Sequence, residues 1–509
     1  MFSKVLIANR GEIALRVIRA CRELGIGTVA VYSDADATAP HVRAADEAVR
    51  IGPAPASESY LCIDRLVEAA RRTGASAVHP GYGFLAERAP FARAVRDTGL
   101  TFIGPSAEAI EAVGSKTAAR SLAQRAGVPV VPGTAHPLRD SAEAQEAAAK
   151  LGYPVLLKAI AGGGGKGMRI VRASSDVTTA LDAARSEAQK SFGDDAIYVE
   201  KYLDRPRHIE IQVLGDTHGT MLSLGERECS VQRRHQKMLE EAPSSAVDQD
   251  LRARMGEASV RLARAAGYVN AGTCEFLLDR DGKFYFLEMN TRIQVEHPVT
   301  ELVTGIDLVQ WQLRVAAGEP LPWRQEAIRP YGWAMECRIT SEDIANGFLP
   351  STGRISYLRV PSGPGVRWDA GVELGSDVTL FYDSLLAKLI VWAPTRDAAI
   401  ARMVGALKEL VVEGVETSRE LHGRILDDPE FKRGAVDIEW LEHRLPSLVA
   451  PSSDRDSIVV AAIAGALLAS GQGGNRTPLG APEAASVGGD SCASARRWIV
   501  AARREALRE

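Results

Sequence analysis

Cysteine is scarce and never clustered: Cys21, Cys62, Cys229, Cys274, Cys337 and Cys492 lie far apart in 509 residues, with no C-x-x-C pair. Such spacing suits neither a disulfide framework nor a thiolate zinc site, and points to a reducing cytoplasm. Long apolar runs are missing too. The longest, Ile458 to Ala469, has about 12 residues, where roughly 20 are needed to span a bilayer. The opening MFSKVLIANRGEIA lacks the basic stretch, apolar stretch and cleavage site of a secretory signal. Positive charge is not in excess: the net charge of −4 argues against a broad nucleic-acid surface, while leaving room for a local basic channel. No internal repeat is visible. What is present is ordinary for a soluble globular protein, 46% hydrophobic and 25% charged residues. At this length two to four domains are expected.

Lys4 to Ala8 is a short apolar run, and Gly11 to Leu24 carries Ile13, Val17, Cys21 and Leu24 as a helical stripe. Gly27 to Tyr32 is again strand-like, so strand, helix and strand make a parallel βαβ unit. The pattern continues through Ala77–His79 and Thr101–Ile103, predicting a doubly wound domain over residues 1–112. A helical linker over 113–129 leads to Pro129 and Pro132, read as a hinge. A small unit follows over 130–202. It holds strands at Val155–Lys158, Met168–Val171 and Ile197–Glu200, the loop Gly162–Gly167, and a helix from about Ser175 to Phe192. Strands and helices alternate through 203–330 and 331–446. Beyond Pro446 the character changes, and Gly471 to Ser494 is rich in Gly, Ser, Ala and Pro. The tail, 447–509, is expected to be partly disordered with two short helices.

AGGGGKGM at Ala161–Met168 lets backbone N–H groups converge on an anion without Cβ obstruction. It is not a Walker A loop, because Lys166 is followed by Gly167 and Met168 rather than Ser or Thr. Flanking strands imply a flap between two antiparallel strands, of the kind that closes over nucleotide phosphates. A bare flexible hairpin tip is the competing reading. Lys158 is placed to meet phosphate charge, or is a solvated lysine at a strand end.

AGTCEFLLDRDGKFYFLEMNTRIQVEH, from Ala271 to His297, carries the strongest signal. Asp281-Gly282 between apolar runs is a preferred two-residue hairpin turn. That loop pairs Arg280 with Lys283 and sets Glu275 opposite Glu288, with Cβ atoms about 4.5–5.5 Å apart. Like charges so placed repel, and either a raised pKa or a divalent cation relieves them. The period of two adds Asn290 and, if the strand continues, Arg292 to the same face. A solvent-exposed polar face is the alternative. Glu296 follows as a carboxylate the metal pair does not need, beside Arg292 and able to serve as a base. His297 precedes Pro298, and a structural role for it is at least as good as a chemical one. QRRHQK at Gln232–Lys237 reads alone as a solvated basic turn, and Arg338 in ECRITSED as an ordinary surface arginine.

Together several segments resemble the biotin carboxylase family, as found in bacterial acetyl-CoA carboxylase and in acyl-CoA and pyruvate carboxylases. They are ANRGEIALRVIRA from Ala8, HPGYGFLAE from His79, GSKTAAR from Gly114, LKAIAGGGGKGMRIV from Leu157, and EKYLDRPRHIEIQVLGD from Glu200. ERECSVQRRHQKMLEEAP from Glu226, EMNTRIQVEHPVTELVTG from Glu288, ECRITSED from Glu336 and YDSLLAKLI from Tyr382 complete the set. The resemblance runs in order over 1–446. It implies a multidomain ATP-grasp fold, mixing α/β and α+β: a Rossmann-like N-terminal domain, a mobile lid over 130–202, and a mixed C-terminal domain. It implies that Lys116, Lys158 and the loop Gly162, Gly163, Gly164, Gly165, Lys166, Gly167 and Met168 hold the phosphates of ATP. Glu200, the backbone near Leu203, His208 and Gln232 are implied for the adenosine part, with Lys201, His235, Gln236 and Leu277 as further nucleotide contacts. Glu275, Glu288 and Asn290 are implied as ligands of magnesium or manganese. Lys237, Arg292, Gln294 and Val295 are implied for bicarbonate, Glu296 as its base, and Arg338 for the enolate oxygen of biotin.

The implied reaction carboxylates biotin on a carrier protein through carboxyphosphate, as the first half-reaction of an acetyl-CoA or other acyl-CoA carboxylase. A biotin carrier, a carboxyltransferase and a second copy of the chain are the implied partners, with no nucleic acid and no membrane. Ser115, Ser106 and Cys274 stand where relatives commonly carry Asp, Lys and an aromatic. No Met-Lys-Met biotin attachment sequence occurs, so a carrier domain is not expected within these residues. Ile458–Leu468 and Ala495–Leu507 faintly resemble parts of a connecting region. Two other readings compete: another ligase of the same fold, of the purine-synthesis or carbamoyl phosphate type, and a non-catalytic nucleotide-binding scaffold. Neither accounts for RHQK and QVEH together with a complete polar set.

Overall fold

The computed structural model describes residues 1–134, 136–159, 167–450 and residue 463. The described chain up to Leu448 forms one compact unit. The expected tail falls almost wholly outside the described residues, as do Gly162 to Lys166 of the glycine loop.

The chain opens with β1 (Lys4–Ile7), α1 (Gly11–Glu23) and β2 (Gly27–Ser33), followed by β3 (Glu47–Gly52), β4 (Ala77–His79) and β5 (Thr101–Phe102). Val5, Leu6 and Ile7 are all buried, as befits a central parallel strand covered on both faces. Ile13, Val17 and Cys21 of α1 pack into the same core. The sheet is parallel in the order β3-β2-β1-β4-β5, so strand order reverses between β1 and β4. Ligand crevices of doubly wound sheets lie at the carboxyl ends of such strands. There Asn9 Nδ2 donates to the carbonyls of Pro80 at 2.8 Å and Tyr82 at 2.7 Å. Helices Ala107–Gly114 and Lys116–Arg125 follow. Ser106 and Ser115 accept from the amides of Ala109 and Ala118, so both serine departures act as N-caps.

A three-stranded antiparallel sheet comes next, with β6 (Val155–Ala159) between β7 (Met168–Val171) and β8 (Ile197–Lys201). It has its own core of Val155, Leu157, Val171 and Val199 against helices Ser141–Leu151 and Val177–Phe192. The first of these helices was not legible in the sequence: its buried face is alanine, Ala144 and Ala148.

Eight of the remaining strands build one large sheet, and the others form three two-stranded ribbons. In space the large sheet runs β13 (Phe284–Asn290), β12 (Asn270–Leu278), β9 (Arg207–Gly215), β10 (Met221–Arg233), β11 (Gln236–Ala242) and β14 (Trp333–Thr340). Leu385–Ala393 and Val366–Ala370 extend it, so the sheet passes through residue 330 without a break. Helix Gln249–Ala265 packs on one face through Met255, Ala258 and Leu262. Helix His297–Thr304 covers the other through Val299 and Val303. The last helix, Trp440–Val449, continues through Pro446.

The β12–β13 hairpin corrects one expectation and keeps its result. Its turn is not Asp281-Gly282 alone. Leu278 pairs with Phe284, and Lys283 O accepts from Asp279 N, leaving the three residues Arg280, Asp281 and Gly282, with Gly282 at φ +74. The register then shifts between Glu275 and Phe276, where Leu287 is the extra residue, a β-bulge. One residue added in the turn and one in the bulge cancel. Glu275 therefore pairs with Glu288 after all.

Candidate active site

Antiparallel pairing carries a charged row across four strands: Glu288 opposite Glu275, Glu275 opposite Glu210, and Glu210 opposite Arg227. Directly paired residues share a face, so three carboxylates stand side by side. Isolated buried charges are costly unless paired, and this row is paired by cations from the next strands. Arg227 is fully buried, donates to Glu210, and reaches Gln212 Oε1 and Thr300 Oγ1 at 2.8 Å. Lys237 Nζ lies 2.6 Å from Glu210, 3.0 Å from Glu275 and 2.7 Å from Glu296.

Lys237 reaches this position through the β10–β11 hairpin. Its turn residues Arg234 and His235 both have positive φ, and the ladder pairs Gln232 with Lys237 and Arg233 with Gln236. Arg234, His235 and Gln236 at the tip are exposed, whereas Gln232 is buried. The solvated-turn reading thus describes the tip and fails for Lys237. Arg338 is likewise no surface arginine: its side chain is 18% exposed, with Nε 2.6 Å from Glu240 Oε1 and Nη2 2.9 Å from Glu296 Oε2.

The loop after β13 supplies the rest. The strand ends at Asn290, so Arg292 lies beyond it. Asn290 Nδ2 and Gln294 Nε2 donate to Glu275 Oε1 at 2.8 Å and 3.0 Å. Arg292 donates to Glu87 at 3.0 Å, to Gln294 Oε1 at 3.2 Å and to Asn290 Oδ1 at 3.1 Å. The Val295 carbonyl accepts from Lys388 at 2.8 Å. His297 is buried with its Nδ1 2.8 Å from the Gln294 carbonyl, a structural placement.

These contacts sort the carboxyls into two kinds. Burial opposes ionisation of Glu275, yet Lys237 and His208 outweigh it and hold the group well below the usual carboxylate range. Burial is also overcome at Glu296, by Lys237, Arg338 and Arg227. Glu288 goes the other way, raised by burial and then by the charge of Glu275. Lys237 stays protonated: its burial is outweighed by Glu210, Glu275 and Glu296.

His208 Nε2 sits 3.0 Å from Glu275 Oε2, and His208, Glu210 and Glu275 bring ligand atoms within 4.8 Å of one another. Like-charged carboxylates at paired positions, with an imidazole and an amide beside them, fit a hard divalent cation with oxygen ligands. Leu277 pairs with His208 and is half-buried on the face that Glu275 shares. Lys116 is exposed at the start of its helix, and its charge acts on Glu288. Lys158 lies 3.6 Å from Glu200, which Arg120 also binds at 2.6 Å. Gly167 has φ +70 and leads into Met168 of β7. Lys201 turns away, donating to the Gly152 and Tyr153 carbonyls at 2.8 Å and 3.3 Å. Leu203 is half-buried just beyond β8.

Glu210, Arg227, Glu240 and Glu87 were missed in the sequence. For Glu210 a signal exists: His208, Glu210 and Gln212 alternate with Ile209, Ile211 and Val213, a polar face on an interior strand. Glu87 has none, because only folding brings it to Thr291 N and Arg292.

A doubly wound domain, a small three-stranded unit and a large sheet bearing paired acidic residues define an ATP-grasp ligase. Three family models match the chain. "Biotin carboxylase, N-terminal domain" matches residues 1–110, "Carbamoyl-phosphate synthase L chain, ATP binding domain" matches 115–324, and "Biotin carboxylase C-terminal domain" matches 336–443. Biotin carboxylase of Haemophilus influenzae is 51% identical over 446 residues, covering 87% of this chain and 99% of that protein. The propionyl-CoA carboxylase alpha chain of Ruegeria pomeroyi is 49% identical over 488 residues, covering 91% and 72%. Among solved structures, the biotin carboxylase domain dimer of Hydrogenobacter thermophilus 2-oxoglutarate carboxylase, with MgADP, ADP and bicarbonate, has TM-score 0.82 at 49% identity, covering 89% and 100%. The chain belongs to the biotin carboxylase family.

Proposed function

We propose that this chain carboxylates biotin on a carrier protein, using ATP and bicarbonate. One observation carries the reading: Lys237 and Arg338 converge on Glu296 beside the Glu275–Glu288 pair, so anion-binding cations, a base and metal-type carboxylates meet in one place. Glu275, Glu288 and Asn290 would hold magnesium or manganese, which supplies charge neutralisation for phosphoryl oxygens. Lys116, Lys158 and the loop from Gly162 to Met168 bind the phosphates. Glu200, Leu203, His208, Gln232 and Leu277 hold the nucleoside.

Bicarbonate lies against Lys237, Arg292, Gln294 and the Val295 backbone, and attacks the γ-phosphorus of ATP to give carboxyphosphate and ADP. Glu296 takes the bicarbonate proton. In this structure Glu296 is a weak base, because Lys237, Arg338 and Arg227 hold it; an anion that shares Lys237 and Arg338 loosens that hold and makes it stronger. Carboxyphosphate then breaks to carbon dioxide and phosphate, the phosphate accepts the N1 proton of biotin, and N1 attacks the carbon dioxide. Arg338 balances the charge on the ureido oxygen as that proton leaves. Carboxyphosphate is unstable in water, so residues 130–202 serve as a cover for it.

The carbamoyl phosphate and purine-synthesis readings share only the central ATP-binding part; the matches over 1–110 and 336–443 favour biotin. The carboxyl acceptor is set by a carboxyltransferase, and an acyl-CoA, as in acetyl-CoA carboxylase of fatty acid synthesis, is the acceptor proposed. Relatives acting in propionyl-CoA and methylcrotonoyl-CoA carboxylases support an acyl-CoA. Buried unpaired thiols at Cys21, Cys229, Cys274 and Cys337 support a reducing cytoplasm as its location. No helix among the described residues is long and apolar enough to cross a membrane.

The test is phosphate release from ATP that requires both bicarbonate and biotin. Release that ignores biotin but responds to ammonia would refute the reading. Arg338→Ala should slow carboxylation about 100-fold, at an unchanged KM for ATP. A selective loss of ATP affinity would place Arg338 elsewhere.

A further inference from the structure

Two carboxyl groups beneath Arg338 face each other, and three of their four oxygens receive no hydrogen bond from the described residues. β11 and β14 pair Glu240 directly with Glu336, which sets their Cβ atoms about 4.5–5.5 Å apart on one face. Both residues are fully buried. Glu240 Oε1 accepts from Arg338 Nε at 2.6 Å and lies 2.5 Å from Nη2 in the same ion pair. No donor among the described residues reaches Glu240 Oε2, nor either carboxyl oxygen of Glu336.

Among the described residues the neighbouring side chains are committed elsewhere. Helix His297–Thr304 covers the face with Val299 and Val303, against Ala242, Ala334 and Ile390. On the sheet the charged neighbours are Arg338 and Lys388, which pair with one another, and Lys237 on β11. Lys388 Nζ is committed to the Val295 carbonyl at 2.8 Å and to Glu12 at 3.2 Å. From the covering helix come Glu296, bound to Lys237 and Arg338, and His297, bound to the Gln294 carbonyl. From the N-terminal domain come Glu12 and Tyr82, which bond to each other.

Two ionised carboxylates at this spacing in a dry interior repel strongly, and pairs of this kind retain one proton. We propose that Glu240 and Glu336 hold one proton in common as an O–H···O pair, which makes Glu240 the positioning residue for Arg338. A single proton satisfies two of the three oxygens, since the hydroxyl of one acid donates to the free oxygen of the other. Burial pushes Glu336 well above the ordinary carboxyl range and Glu240 up to about 7, in agreement.

The consequence for chemistry rests on the reading of Arg338 as the group that meets an anionic oxygen of biotin. With the proton present, the pair beneath Arg338 counts as one negative charge, and the guanidinium retains positive field toward the cleft. Losing it adds a second negative charge next to Arg338 and cancels that field.

Infrared difference spectroscopy on the full chain tests the proton directly. Wild type minus Glu336→Gln at about pH 6 should show a protonated-carboxyl C=O band that shifts in D2O, and wild type minus Glu240→Gln the same band. Glu336→Gln should keep its Tm, because the amide donates to Glu240 where the acid did, while Glu336→Ala should lose stability. In biotin carboxylation, the alkaline decline of kcat should vanish in Glu336→Gln at an unchanged KM for ATP. Absence of the band from both difference spectra, or a Tm loss in Glu336→Gln equal to that in Glu336→Ala, would overturn the shared proton. If wild type fails to carboxylate biotin at all, the functional reading falls, and the spectra still decide the proton.

Discussion

A buried ammonium needs carboxylates, and Lys237 has three within 3.0 Å. At the residue scale this explains why Glu275 and Glu296 can ionise out of water while Glu288, farther from that charge, resists. The two kinds carry opposite pH signatures. Glu275 and Glu296, held low, contribute stability that is present above the ordinary carboxyl pKa and lost as pH falls through their depressed values. Glu288, held high, contributes stability that is complete below the ordinary value and lost as pH rises through its raised one. Glu288→Gln should therefore raise Tm near neutral pH in chelator, where the native carboxyl is forced to ionise beside Glu275. The same change should cut ATP turnover by about 100-fold or more, if the pair holds metal. Thermal melts in chelator and steady-state assays at saturating magnesium check both halves; near-normal turnover would remove Glu288 from the metal site.

At the element scale, the β12–β13 hairpin depends on a bulge. Leu287 restores a register that the three-residue turn had displaced, and the side-chain period of two makes one residue decisive. Deleting Leu287 removes the bulge and leaves the residues after it paired as before, so Glu288 should stay opposite Glu275 and the apolar contacts of Phe276, Phe284 and Phe286 should be kept. Circular dichroism should then be close to wild type, with ATP cleavage within about tenfold of wild type. ATP cleavage as low as in Glu288→Gln would mean that the bulge shapes the site beyond the pairing it restores. The sequence showed the turn chemistry and the alternation on either side of it, but a bulge is settled by how a strand packs on its neighbour, here β12 on β9. The β10–β11 hairpin teaches the same lesson from the other side. Its tip is as polar and exposed as it reads, whereas Lys237, one residue past it, is drawn in by Glu210 on β9.

At the scale of the whole molecule, Glu301 ties three regions together. It accepts from Arg16 of α1 at 2.9 Å, from Arg367 of the last sheet strand at 2.7 Å, and from the Leu308 amide at 2.8 Å. Only 6% of it is exposed, and its removal takes one carboxylate from each arginine, leaving Arg16 with Asp307 and Arg367 with Asp369. Glu301→Ala should cost about 2–3 kcal/mol, read as a fall in the urea midpoint. A loss below about 1 kcal/mol would show that the N-terminal domain is held by its apolar contacts with the central sheet rather than by this junction.

Local rules determined what a single segment can decide: the βαβ opening through Ile13, Val17 and Cys21, and the antiparallel flanks of the glycine loop. Those features depend on periods and turns within some 30 residues, which sequence records directly. Tertiary structure alone decided that Glu87 and Glu240 belong to the site, because they come from strands and loops far apart in the chain. Charge placement across a sheet depends on which strands lie next to each other, and strand order is a property of the assembled molecule rather than of any segment.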